Sequence, residues 1–251
     1  MQTIDAVIER LGAIVEQTKA DQSRAGYFAA LYKRMTMAVA KGIQQHAFED
    51  ADRMIRLDIA FAKRYLDAYD AYQEGNPCST SWQFAFDGCR RNELIVIQHL
   101  LSGINTHINL DLAISAAEIS EGTAIDDLEK DFNKINDIIA SLIDDVQECL
   151  ARVWLPMRLL EKIASGKHIP VINFSIDKAR TASWSNALLL AGMNTGQKQF
   201  YIQQMDAAVL RLGQAIRSPG AFTQLILKGI RATEYSNISR IINLIDTTVV
   251  E

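Results

Sequence analysis

Only four prolines, Pro77, Pro156, Pro170 and Pro219, interrupt this 251-residue chain, so long intervals are free of the residue that most strongly breaks helices. Within those intervals apolar residues recur at threes and fours, and period-two strand patterns are scarce. Ile4, Val7, Ile8, Leu11 and Ile14 share one helical stripe, and Leu31, Met35, Val39 and Ile43 share another. A third helix is expected from about residue 49 to 72, with Met54, Leu57, Phe61, Tyr65 and Tyr69 on one face, stopped by the turn chemistry of Glu74-Gly75-Asn76-Pro77. A short helix bearing Trp82 and Phe86 follows, then a central helix to about Ile119. A further periodic stretch begins at Thr123 and continues through Val146, where Pro156 kinks or ends it. Gly166 to Pro170 interrupts the C-terminal half. Helices near 176–191 and 196–216 come next, and Ser218-Pro219-Gly220 separates two closing helices.

The expected fold is all-α: one compact, irregular array of roughly ten helices around a buried central helix, spanning residues 1–251. The break at 166–170 would allow a C-terminal helical subdomain from about residue 171. Hydrophobic residues make up 49% of the chain, enough for a substantial core. Charged residues are 22% and the formal net charge is −4, so no chain-wide basic field would gather nucleic acid or an anionic membrane. No stretch reaches the ~20 uninterrupted apolar residues of a membrane span. The start, Met1 to Val7, has no basic head before an apolar run, and Cys78, Cys89 and Cys149 form neither a disulfide framework nor a Cys-x-x-Cys pair. A cytoplasmic protein is expected, with neither nucleic acid nor membrane as partner and an oligomeric state that the sequence does not determine.

The central helix is unusual in its polar content. Leu94, Ile97, Leu101, Ile104, Ile108 and Leu112 form an ordinary core stripe at ~100° per residue. Gln98, Ser102, Asn105 and Asn109 fall on a second face, as an amide ladder between helices or the lining of a cavity would. His107 and Asp111 form a third set, four residues apart and therefore on neighbouring turns of one side. Buried polar groups are costly unless paired or liganded, so the segment marks a hydrogen-bond network or a site.

The spacing of His107 and Asp111 suits one divalent metal, with Asp58 as a third ligand and Glu118, Asp131 and Asn133 as weaker candidates. It equally suits a carboxylate that orients an imidazole as general base or merely satisfies it. His99 lies eight residues, a rise of ~12 Å, from His107, so a shared site would need a bend or bulge near Gly103-Ile104-Asn105. His99, Asn105, Asn109, Trp82 and Arg180 are the candidate contacts for a small-molecule ligand, Arg180 through its guanidinium and a stack on Trp184. His-Glu-x-x-His, paired Glu-x-x-His, Gly-x-Ser-x-Gly and glycine-rich phosphate loops are all absent from the sequence. Two functions fit: a polar inter-helical pocket for a divalent metal or small polar ligand, hydrolytic if a bound metal activates water, or a non-enzymatic interaction or scaffold protein whose cluster locks helix register. Whether the protein is an enzyme stays open.

Tyr27 to Tyr32, Arg53 to Asp58, Phe61 to Leu66, Trp82 and above all Gln98 to Leu112, with its His-Ile-Asn-x-Asp-Leu core at His107–Leu112, resemble a bacterial family of helical proteins catalogued as a domain of unknown function. The resemblance spans roughly residues 25 to 190, with a further likeness in Ala179 to Trp184. It implies a helical fold and directs attention to Asp58, His107, Asn109 and Asp111. No activity comes with it.

Overall fold

A computed structural model describes residues 3–138 and 175–247, and among them every regular element is a helix. In chain order these are α1 (Ile4–Ala20), α2 (Ala25–Gln44), α3 (Ala51–Gln73), α4 (Thr80–Cys89) and α5 (Val96–Thr106). A π-helical segment (His107–Leu112) runs straight on into α6 (Ala113–Ile119), and a 3-10 turn (Ile125–Leu128) leads into α7 (129–138). The second stretch holds α8 (Ile176–Ala191), α9 (Thr195–Arg217), α10 (Ala221–Thr233) and α11 (Ile238–Asp246). The all-α expectation therefore holds. The expected helix beyond residue 138, the kink at Pro156, the break at Gly166–Pro170, the start of a subdomain near 171, and Cys149 and His168 lie outside the described residues.

Local chemistry sets the helix ends. Thr3 caps α1 through the Ala6 amide, Asp50 caps α3 through the Arg53 amide, and Asn194 and Gln197 form a reciprocal capping box on α9. Gly75 takes φ +74° in the turn that ends α3, a backbone conformation that Glu74-Gly75-Asn76-Pro77 was expected to supply. The start of α4 is held from afar: the Asp206 carboxylate, on α9, accepts the backbone N–H groups of Thr80 at 2.8 Å and Ser81 at 3.0 Å, and both hydroxyls as well. A carboxylate on the unpaired amides of a first turn satisfies them and opposes the helix dipole.

Two apolar clusters flank the run from α5 to α6. One joins Val7, Leu11 and Ile14 of α1 with α2, the later half of α3, α4 and Ile241, Ile242 and Ile245 of α11. The other joins Met54 and Leu57 of α3 with Leu110 to Ala117, Phe132 of α7, Ala187 and Leu190 of α8, and Met205 and Val209 of α9. From Val96 to Ala117 every side chain is buried except those of Ile97, Ile104, Ile108 and Asn109, which are half-buried. Helices α2, α3, α4, α8 and α9 pack around this run. Its polar residues are thus placed in the interior, where each one needs a partner.

Candidate functional site

The amide stripe spends its bonding capacity on α9. Gln98 accepts from the Ile95 N–H at 3.2 Å and donates to the Ile216 and Arg217 carbonyls at 3.0 and 3.1 Å. Asn105 donates to the Val209 carbonyl at 2.9 Å and accepts from Asn109 at 3.1 Å, while Ser102 bonds back to the Gln98 carbonyl. These contacts tie two helices together at fixed register. Asn105 and Asn109, as candidate ligand contacts, are therefore turned toward protein partners.

His107 and Asp111 meet, and they do so inside the π-helical segment. The Nδ1–H of His107 donates to Asp111 Oδ2 at 2.9 Å, and the indole N–H of Trp82 donates to the same oxygen at 2.9 Å. Ionised carboxylates only accept, so this bond fixes the tautomer: neutral His107 carries its proton on Nδ1 and leaves Nε2 with a bare lone pair. Nε2 is buried and has no partner among the described residues. Burial holds the imidazole below its usual pKa, and the Asp111 bond only partly opposes that shift. The π turn carries one extra residue, rotating everything after it by ~100° relative to an unbroken helix, and such turns recur at functional sites. The bulge at Gly103-Ile104-Asn105 that a site shared with His99 would need is not formed; the helix deforms one turn later, on the His-Ile-Asn-x-Asp-Leu segment itself.

Aromatic rings enclose the imidazole. Phe61 stacks on it with centroids 3.6 Å apart, Tyr32 meets it edge-on at 4.4 Å, and Phe28, Trp82 and Tyr65 stand at 5.7, 6.0 and 6.1 Å. Gly103 admits Phe28, because a Cβ there would sit 2.6 Å from the Phe28 ring. Gly103 serves close packing, and the helix passes it without deforming.

More polar groups are left over around this cage. Among the described residues, Asp58 Oδ2 and the hydroxyls of Tyr32, Thr36 and Tyr65 are buried without partners, Thr36 lying close to Tyr32 but short of hydrogen-bond geometry. Burial raises Asp58 to about 7 and holds Tyr32 and Tyr65 well above the ordinary phenol value, with the Asp58 carboxylate adding to the shift at Tyr32. Among the described residues no three His, Cys, Asp or Glu side chains converge as a set of metal ligands, so Asp58 does not close a triad with His107 and Asp111.

The other candidates are dispersed. His99 is buried one helical stretch away, at the N-terminal end of α5, against Tyr27. Arg180 donates to Asn136 Oδ1 and the Phe132 carbonyl, and its guanidinium lies 4.6 Å above the Phe132 ring. Phe132, at 4.8 Å from Trp184, thus intervenes in the expected stack of Arg180 on Trp184. Asp131 accepts the N–H groups of Glu49 and Asp50 ahead of α3, and Glu118 pairs with Arg64. Cys78 and Cys89 are free thiols whose pKa burial raises, Cys89 to about 12, the opposite of an activated thiolate.

Sequence reasoning missed Phe28 and Tyr32 as walls of the site and Asp206 as the anchor of α4. Phe61 and Tyr65 were legible only as core. No local pattern links Asp206 to Thr80, because they are 126 positions apart. No described helix is long and apolar enough to cross a membrane. No curated protein and no solved structure matches the chain. A family model does, over residues 4–219, wider at both ends than the motifs suggested. The chain belongs to this family of unknown function (DUF5995).

Proposed function

We propose that this protein binds a small polar ligand at His107, inside the ring of aromatic side chains from α2, α3 and α4. One observation carries the reading: a buried imidazole whose Nδ1 is fixed by Asp111, itself fixed by Trp82, while its Nε2 lone pair is left without a partner. An unsatisfied buried acceptor costs ~1–3 kcal/mol, and a ligand N–H or O–H would recover that. Asp58 and the hydroxyls of Tyr32 and Tyr65 offer further hydrogen-bonding capacity in the same interior.

The chemistry available is that of a carboxylate-oriented base. Nε2 can accept a proton from a bound water or hydroxyl, with Asp111 stabilising the imidazolium that forms, which suits a hydrolytic step. A divalent metal on Nε2 is the second form of the reading, since metal-binding imidazoles commonly give their other N–H to a carboxylate. It is the weaker form, because among the described residues no three His, Cys, Asp or Glu side chains converge at His107. The register-locking alternative is favoured by the amide stripe, whose Gln98 and Asn105 are bonded to α9, but not by His107, whose bonding is incomplete.

Native mass spectrometry of the purified chain and of His107→Gln, with elemental analysis alongside, tests this. A small-molecule adduct retained by the wild type and lost from the variant carries the proposal, and stoichiometric metal lost from the same variant carries its metal form. A wild-type mass equal to that of the bare chain, unchanged by incubation with Zn2+ or Mn2+, together with an Nε2 NMR resonance showing a bond to a protein donor, would overturn it.

A further inference from the structure

A cleft between the N-terminal end of α5, the start of α2 and the chain after α10 holds a second set of unspent polar groups. It is a shallow cleft open to solvent, lined by Arg24, Tyr27, Val96, His99, Arg231 and Glu234. His99 is only 6% exposed, and among the described residues neither of its ring nitrogens has a hydrogen-bond partner, the nearby Leu94 carbonyl falling short of bonding geometry. Tyr27 covers one side of the ring edge-on, at 5.8 Å and 71°.

The charges around His99 are unequal. Arg24, Arg231 and, from α9, Arg217 all bear on it, and among the described residues Glu234 is the single acidic side chain on the cleft. That carboxylate accepts the Val96 N–H at 3.1 and 3.3 Å, at the first turn of α5, and stands 3.8 Å from the Arg231 guanidinium. A carboxyl group of this chain already uses part of the cleft. Among the described residues Arg24 makes one long bond, 3.4 Å to the Cys89 carbonyl, so positive charge is left over.

We propose that this cleft binds a phosphate group, its oxygens taken by Arg24 and Arg231 and its P–O–H donated to the bare nitrogen of His99. Guanidinium groups match oxyanions geometrically, and the first turn of a helix adds favourable potential for an anion. A carboxylate ligand would satisfy the arginines but would bring no proton for His99. The site is independent of the pair at His107, which lies eight residues, ~12 Å, further along the helix.

The test is a 1H–15N NMR titration of the full chain with inorganic phosphate and, separately, with acetate, ionic strength held constant with sodium chloride. Saturable shifts of the Val96 amide and the His99 ring are expected with phosphate, about tenfold tighter than with acetate, and weakened by about tenfold or more in Arg24→Gln and in Arg231→Gln. Arg231→Lys keeps the charge and should lose less, which separates lost binding from a damaged fold. His107→Gln should leave the titration unchanged, whatever becomes of the site at His107. Shifts that grow linearly without saturating, or that are equal in wild type and both arginine variants, overturn the proposal. Equal affinity for acetate overturns the assignment to phosphate.

Discussion

Phe61 lies flat on the imidazole of His107, with ring centroids 3.6 Å apart and planes 9° from parallel. That contact removes one whole face of the imidazole from water. Together with the other rings it makes the charged form costly, and the single Asp111 bond compensates only in part. His107 is therefore expected to remain neutral, with its proton on Nδ1, well below the pH at which a free imidazole titrates. A 15N NMR titration checks it: the His107 resonances should not move between pH ~7 and ~6, where an ordinary exposed imidazole changes charge. Titration of His107 at the ordinary histidine value would contradict the sealed geometry.

Asp206 reaches Asp111, the partner of His107, through three steps. It fixes the first turn of α4, α4 places the Trp82 indole, and the indole fixes Asp111. Asp206→Ala should cost ~1–2 kcal/mol by urea unfolding, as the loss of a helix cap does. Its second effect is more telling: the Trp82 indole N–H resonance should shift toward a non-bonded position. Trp82→Phe, which keeps most of the apolar bulk and deletes the donor to Asp111, should cost ~1–3 kcal/mol and broaden the His107 ring signals.

Asp58 sets a pH dependence of definite sign. Burial raises its folded value to about 7 from 3.8, so the fold prefers the neutral acid. Its stabilising contribution is complete below the unfolded value and is lost as pH rises through about 7. Glu234, also raised to about 7 by burial, acts in the same direction. His99 acts in the other: its value falls to about 3 from 6.5, chiefly through burial, so stability is lost as pH drops from 6.5 toward 3. Asp58→Asn should abolish one arm alone, making the variant more stable than wild type above pH ~7 by up to ~4 kcal/mol, at ~1.4 kcal/mol per pH unit of displacement. Urea unfolding between pH ~5 and ~8 measures it, and an unchanged slope would mean that Asp58 is paired or hydrated.

Periodicity was enough to place α1 to α4 and α8 to α11, because a helix declares itself in the spacing of its own residues. Capping reads the same way: Asp50 and Asn194 act on amides three positions ahead. The pairing of His107 with Asp111 was equally local, one turn of a helix. What joins distant segments left no trace in the spacing. Trp82 donating to Asp111, Arg180 lying over Phe132 and Glu234 on the Val96 amide depend on how helices dock, and each involves a side chain whose composition alone reads as ordinary core or surface. Gly103 shows the limit most directly. In sequence it signals a weakened helix; in the fold its missing side chain is the space that Phe28 fills.

That reading of Gly103 has a measurable consequence. Alanine raises intrinsic helix propensity by ~1 kcal/mol over glycine, so Gly103→Ala would stabilise the protein if the glycine merely loosened α5. The added Cβ would instead meet the Phe28 ring at 2.6 Å, a distance that real packing does not tolerate. Phe28 touches His107, Tyr65 and Trp82, so it cannot retreat without disturbing all three. Overpacking of this kind typically costs ~1–3 kcal/mol, which outweighs the gain in propensity. The variant should therefore unfold at lower urea than wild type, and its His107 and Trp82 ring resonances should shift. Phe28→Leu in the same chain should restore part of the loss by making room for the methyl group. A stabilised single variant with an unaltered His107 environment would show that α2 and α5 are less tightly engaged than their geometry requires.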